Sequence, residues 1–278
     1  MEVEYIFGRS GSGKTKYIYS KIEKLLSANP QEKILVIVPE QATFRMERDI
    51  IENCELEGLF NMSVLSFDRL VYVLLSELGG RVYSPLDFIG KAMITRNILD
   101  SKKDELKVFS KSASKPGFEI KIAELFSELK RQDELLDTLL ESKKLDLDQV
   151  TLDKLSDISL LFENYQNHIK DNELDSEDLI NIAIEEAEES NFLLDANVFI
   201  DGFDLLTYQV LRLLLTVAKK SKNISLTFKM HEKEDSDKFV FEPEQKLFKM
   251  IDSAIKKLGK ETIVKIITPK NIAETKYK

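Results

Sequence analysis

Residues 1–20 read MEVEYIFGRSGSGKTKYIYS, and within them GRSGSGKT, Gly8 to Thr15, satisfies the pattern G-x-x-x-x-G-K-[ST] at every fixed position. The flanks fit the same reading. Val3, Tyr5 and Phe7 alternate as a short strand, and Ile18, Ile22, Leu25 and Leu26 recur at helical spacing behind Lys14. In the order strand, glycine loop, helix, the glycines let backbone N–H groups turn inward around phosphate oxygens, and the helix N-terminus adds partial positive charge. Gly8, Arg9, Ser10, Gly11, Ser12, Gly13, Lys14 and Thr15 are therefore the expected nucleotide contacts. Lys14 is expected to reach the β- and γ-phosphates of ATP, and the Thr15 hydroxyl to hold Mg²⁺.

Working outward, KILVIV (33–38) and MSVLSF (62–67) read as buried strands, each followed by a helical stretch. That alternation is the signature of a parallel sheet. From about 86 to 190 the strand signal gives way to helical periodicity, as in IKIAELFSELKRQDELLDTLLE (120–141) and LDKLSDISLLFENYQNHI (152–169). Pro116 and Gly117 mark a turn between helices, and Asp175 is placed to cap SEDLINIAIEEAEES. Strands return at ANVFIDGF (196–203), NISLTFKM (223–230) and TIVKIITP (262–269). The pattern predicts an α/β domain in two parts, 1–80 and 193–278, with a helical segment, 81–192, inserted between them. Nucleotide sites form at the carboxyl ends of parallel strands, so a second acidic ligand is expected to end a later strand. Asp201 does so, and is predicted to hold Mg²⁺ through water opposite Thr15; the competing reading makes Asp201–Gly202 an ordinary turn.

The chain of 278 residues is 43% apolar, enough for a buried core. No apolar run is long enough for a membrane helix and the charged N-terminus is no signal peptide, so a soluble, cytoplasmic protein is expected. Cys54 is the one cysteine, and His168 and His231 stand apart, which excludes an internal disulfide and argues against a zinc site. Residues 151–190 hold twelve acidic and two basic side chains, so the rest of the chain is close to neutral despite a net charge of −9. A solvated helical face is the expected use of that segment, with partner docking as the alternative.

ILVIVPEQATFRMERDI (34–50) resembles the second motif of superfamily 1 helicases, in which a strand leads to a polar turn and a helix that touches single-stranded DNA. SVLSFDRLVYVLL (63–75) resembles the segment that follows, and DGFDLLTYQVLRLLL (201–215) their combined second and third motifs. The resemblance implies a RecA-like P-loop sheet of the helicase 1A type, an inserted all-helical subdomain of the 1B type, and Gln209 as a sensor of the γ-phosphate. A narrower likeness is to the N-terminal region of AddB, the second subunit of the bacterial AddAB (RexAB) helicase-nucleases. It rests on the glycine loop, VPEQATFRME (38–47), SFDRL (66–70), GKAMITRNIL (90–99), KPGFEIKIAELFSELKR (115–131), DSEDL (175–179) and FIDGFDLLTYQ (199–209). It implies a fragment of a longer subunit that pairs with an AddA-type partner as a heterodimer, engages broken duplex ends and single strands, and serves recombination. The family's C-terminal nuclease and its four-cysteine iron–sulfur cluster have no counterpart in these residues.

Where such helicases carry a glutamate after the metal-binding aspartate, this chain has Gly202, so nucleotide binding is expected with little or no hydrolysis by the chain alone. Weaker expectations are DNA contact at Gln41, Thr43 and Phe67, set against a helix cap at Thr43 and a core role for Phe67. Lys111, Lys115, Lys121, Lys130 and Arg131 either meet phosphates or solubilise helices. Two other classes share the loop. A small-molecule or nucleotide kinase needs an arginine-rich lid, for which Arg81, Arg96 and Arg131 are scattered, and a structural subunit would keep the loop as a relic.

Overall fold

The computed structural model describes residues 2–54, 61–77, 85–132, 147–172, 174–230, 241–259 and 261–267. Its chain divides into two compact units, one formed by Met1–Gly80, Ala183–Leu206 and Val210–Lys278, the other by Arg81–Ile182 with Thr207–Gln209.

The first unit is built on β1 (Glu2–Phe7), β2 (Ile34–Ile37), β3 (Met62–Leu65), β4 (Asn197–Ile200), β5 (Asn223–Phe228) and β6 (Glu261–Ile266). They form one sheet in the order β3-β2-β4-β5-β1-β6, every pairing parallel. Strands covered on both faces need continuous apolar runs, and ILVI and NVFI are buried at every residue. On one face lie α1 (Lys14–Ala28) and α2 (Thr43–Asn53), whose Ile18, Ile22, Met46 and Ile50 close on Ile6, Val36, Val64 and Phe199. On the other, Phe248 of α10 (Glu242–Lys257) meets Tyr5, Phe7 and Phe228 with ring centroids 5.0–5.3 Å apart. α3 (Phe67–Glu77) starts where the Ser66 hydroxyl accepts the Arg69 N–H at 3.2 Å, and α9 (Tyr208–Lys220) precedes β5.

In the second unit the α-helices among the described residues are α4 (Phe88–Lys102), α5 (Ser110–Ala113), α6 (Phe118–Arg131), α7 (Gln149–Asn172) and the start of α8 (Ser176–Glu186), and an isolated parallel bridge joins Leu86 to Asp175. Its core joins Ile94, Ile98, Phe126, Leu161, Phe162 and Tyr165. As the sequence predicts, Asp175 caps α8, its Oδ1 accepting the Asp178 N–H at 3.0 Å. The first unit resumes at Ala183, where the periodicity sets 193.

The acidic segment is a solvated face only in part: Glu163, Glu185, Glu188 and Glu189 are exposed, but three of its carboxylates are buried. Asp157, Asp175 and Glu177 are each 1–2% exposed. Buried charge survives only with partners, and each has them. Asp157 accepts the N–H groups of Lys107, Val108 and Phe109 at 2.8–2.9 Å. Glu177 pairs with buried Lys91 and, at 3.1 Å, with Arg131, while Lys130 bridges Asp175 (2.7 Å) and Asp178 (2.8 Å). Lys130 and Arg131 thus serve this network. Residues 133–141 of the predicted 120–141 helix, and His231, lie outside the described residues.

Candidate functional site

The parallel strands end along one edge, and the glycine loop leaves β1 there. Its turn needs φ +76° at Gly11 and φ +100° at Gly13, where a side chain would be strained. Gly8 is required for another reason: a Cβ there would lie 2.3 Å from the Ser12 Oγ and 2.7 Å from the Ile267 carbonyl oxygen. Gly13 stands at the N-cap of α1 in left-handed conformation, and its carbonyl accepts the Tyr17 N–H at 2.9 Å.

Lys14 is the first residue of α1, only 8% exposed, and its Nζ donates to the carbonyls of Gly8 (2.6 Å) and Arg9 (3.0 Å). Burial holds its ammonium below the usual lysine range; the Asp201 charge opposes this, and that of Lys229 adds to it. Next in sequence, Thr15 Oγ1 donates to Asp201 Oδ2 at 2.8 Å, joining the loop to the residue that follows β4. A second hydroxyl, Thr227 at the end of β5, donates to the other Asp201 oxygen. Asp201 is itself 8% exposed, and its N–H donates to the Ile37 carbonyl at 3.0 Å. Buried Ser12 carries a hydroxyl with no partner among the described residues. An ammonium, a hydroxyl without a partner among the described residues and a carboxylate braced by two threonines, set beside the glycine loop, suit a polyphosphate with its divalent cation.

Thr227 escaped the sequence reading because it matters only through the strand order. β5 lies between β1 and β4, which nothing in NISLTFKM announces. Arg9 and Ser10 are exposed on the loop. The Arg9 guanidinium lies over Phe241, 5.6 Å from the ring centroid.

Gly202 follows Asp201 with φ +86°, and a Cβ there would meet Pro39 Cδ at 3.3 Å. Gln209 belongs to the second unit, fully buried, where its Nε2 donates to the Glu177 carbonyl at 3.1 Å and its Oε1 has no partner among the described residues. Gln41 is exposed on the 3₁₀ turn Glu40–Ala42. Thr43 does not cap α2, which corrects that expectation. It is the helix's first residue behind Ala42, and its hydroxyl donates back to the Glu40 carbonyl at 2.9 Å, which the 3₁₀ turn brings within reach. Phe67 is buried against Phe203, centroids 5.1 Å apart.

Among the described residues no group of three or more His, Cys, Asp or Glu is placed to hold a metal, and no helix is long and apolar enough to cross a membrane.

An all-parallel α/β unit with a glycine loop and a braced aspartate at the carboxyl edge of its strands defines the class. The chain belongs to the family described as ADDB, N-terminal, whose model matches residues 5–277. Similar proteins include the B-type subunit of the ATP-dependent helicase/deoxyribonuclease of Alkaliphilus oremlandii, 36% identical over 94% of this chain and 23% of its own length. Its counterparts of the same name in Alkaliphilus metalliredigens (36%, over 93% of this chain) and Clostridium novyi (35%, over 83%) are similar as well. The chain spans about a fifth to a quarter of these curated relatives, 23% and 20% of the latter two.

Proposed function

We propose that this chain is the N-terminal, ATP-binding arm of a helicase-nuclease subunit that processes DNA double-strand breaks for homologous recombination. In this reading the first unit is a RecA-like domain of the superfamily 1 type and the helical unit its 1B-like insertion. The whole works in the cytoplasm as a heterodimer with an AddA-type subunit on broken duplex ends and single strands. The family match over residues 5–277 supports the subunit assignment, and the Thr15–Asp201 hydrogen bond across 186 residues, beside a lysine held over the glycine loop, supports its nucleotide site. Chance glycine turns do not assemble that triad.

Gly8–Thr15 would hold the phosphates of ATP, and Thr15 with Asp201 the Mg²⁺, which would supply neutralisation of phosphate charge. This chain's residues bind and orient. Gly202 offers no general base next to Asp201, so the reading assigns no turnover to the chain by itself. Calorimetry tests it: saturable ATP–Mg²⁺ binding is expected, weakened about tenfold or more in Lys14→Ala, because a charge-assisted bond contributes about 1.5–3 kcal/mol. Equal affinity in both proteins, or none in the wild type at millimolar ATP, would favour the relic loop. Phosphate transfer to a nucleoside or sugar would favour the kinase.

A further inference from the structure

Lys229 is absent from the expected contacts, yet the fold brings it to the rim of the glycine loop. β5 ends at Phe228, whose carbonyl accepts the Gly8 N–H at 3.2 Å, so the residue that follows begins beside the loop's first glycine. Successive side chains of a strand point to opposite faces. Phe228 packs on Phe7 and Phe248, while Thr227 turns the other way to Asp201. Lys229 follows Thr227 by two residues, and its Nζ pairs with Asp204, three residues beyond Asp201.

Two lysines thus converge on one loop. Like charges brought close together repel, and a polyanion between two such cations relieves that repulsion. The Lys229–Asp204 pair is also weakly held, its side chains 39% and 59% exposed, and an exposed ion pair yields readily to a stronger partner such as phosphate. Position indicates which phosphate. Thr227 and Lys229 approach from the side of Asp201, the residue that with Thr15 would hold the divalent cation and so lie toward the terminal phosphates.

We propose that Lys229 is a second phosphate-binding lysine, which exchanges Asp204 for the terminal phosphate of a nucleoside triphosphate and so makes the site select triphosphate over diphosphate. This rests on the nucleotide-binding reading above. It also makes Asp204 a switch partner: once Lys229 leaves, the turn that carries Asp204 loses its tether and gains an uncompensated charge.

The test is calorimetric titration of the purified protein with ATP–Mg²⁺ and with ADP–Mg²⁺, comparing wild type, Lys229→Ala, Lys229→Arg and Asp204→Asn. Lys229→Ala is expected to weaken ATP about tenfold and ADP less than about twofold, and Lys229→Arg to retain ATP within about threefold. Asp204→Asn, which removes the competitor for the ammonium, should bind ATP as tightly as wild type or more so. Both Lys229→Ala and Asp204→Asn delete the same ion pair, so a merely structural pair would give both the same phenotype, and that result would overturn the proposal. So would an equal loss of ATP and ADP affinity in Lys229→Ala, or no loss. Wild type that binds neither nucleotide would overturn the nucleotide reading and this proposal with it; wild type that binds ATP without discrimination by Lys229 would overturn this proposal alone.

Discussion

At position 202 one backbone angle decides what chemistry the site can carry. With φ +86° and Pro39 Cδ 3.3 Å from where a Cβ would stand, only glycine fits without strain. The place after Asp201 therefore cannot accept a glutamate merely by substitution. Gly202→Ala is expected to destabilise the protein by about 1–2 kcal/mol, the usual cost of left-handed backbone for a residue with a Cβ. Urea unfolding should show a lower midpoint at unchanged slope. Gly202→Glu should share that loss and confer no ATP turnover in a phosphate-release assay. Turnover above about 1 per second, an ordinary enzymatic rate, would mean that the missing base alone silences the site. The absent glutamate was legible in the sequence; its backbone cause was not, because a positive φ is a property of the turn against Pro39.

Among the elements, β1, α1 and β5 are tied by one carboxylate. Glu4 accepts the Tyr17 hydroxyl at 2.8 Å, the Lys21 ammonium at 2.7 Å and the Ser225 hydroxyl at 3.0 Å. Burial raises its pKa, but these hydrogen bonds and the Lys21 charge outweigh it and hold the group below 4.5. A depressed folded value contributes stability above the unfolded value, and that contribution is lost as pH falls through the folded value. The stability gap between wild type and Glu4→Gln should be widest near neutrality and narrow below about pH 4.5; a gap constant down to pH 3 would deny Glu4 this role. The helical unit permits a second comparison. Glu177→Ala strands buried Lys91 and should cost about 3–5 kcal/mol, whereas Lys91→Met leaves Glu177 its Arg131 partner and should cost less. Thermal or urea unfolding that reversed this order would mean that Arg131 does not compensate Glu177. The strand cores of β2 to β5 were legible because continuous apolar runs bounded by helical periodicity leave few alternatives. These networks were not. Periodicity treats every charged residue as outward-facing, and only the packing of α4, α6 and α8 turns Lys91, Asp175 and Glu177 inward.

For the whole molecule, the glycine loop and Asp201 were readable because strand, loop, helix and strand end are local patterns. The contributions of Thr227 and Lys229 depend on β5 lying beside β1, a long-range choice no local pattern encodes. On the proposed reading this assembly would hold a nucleotide while Gly202 supplies no base next to Asp201, so its contribution to a larger complex is expected to be binding and architecture. A ligand that binds only the folded state stabilises it by mass action, about 2.7 kcal/mol at a hundredfold excess over Kd. ATP at Gly8–Thr15 would thus stiffen the sheet edge without driving translocation. In a reconstituted complex with the AddA-type subunit, Lys14→Ala should leave most end-dependent DNA unwinding intact, while the corresponding lysine change in the partner should abolish it. A helicase assay on blunt duplex ends, with assembly checked by gel filtration, distinguishes the two. If the Lys14 change removed unwinding from a fully assembled complex, the loop would be driving a motor of its own, and an activating group for water would have to come from outside the Asp201–Gly202 turn.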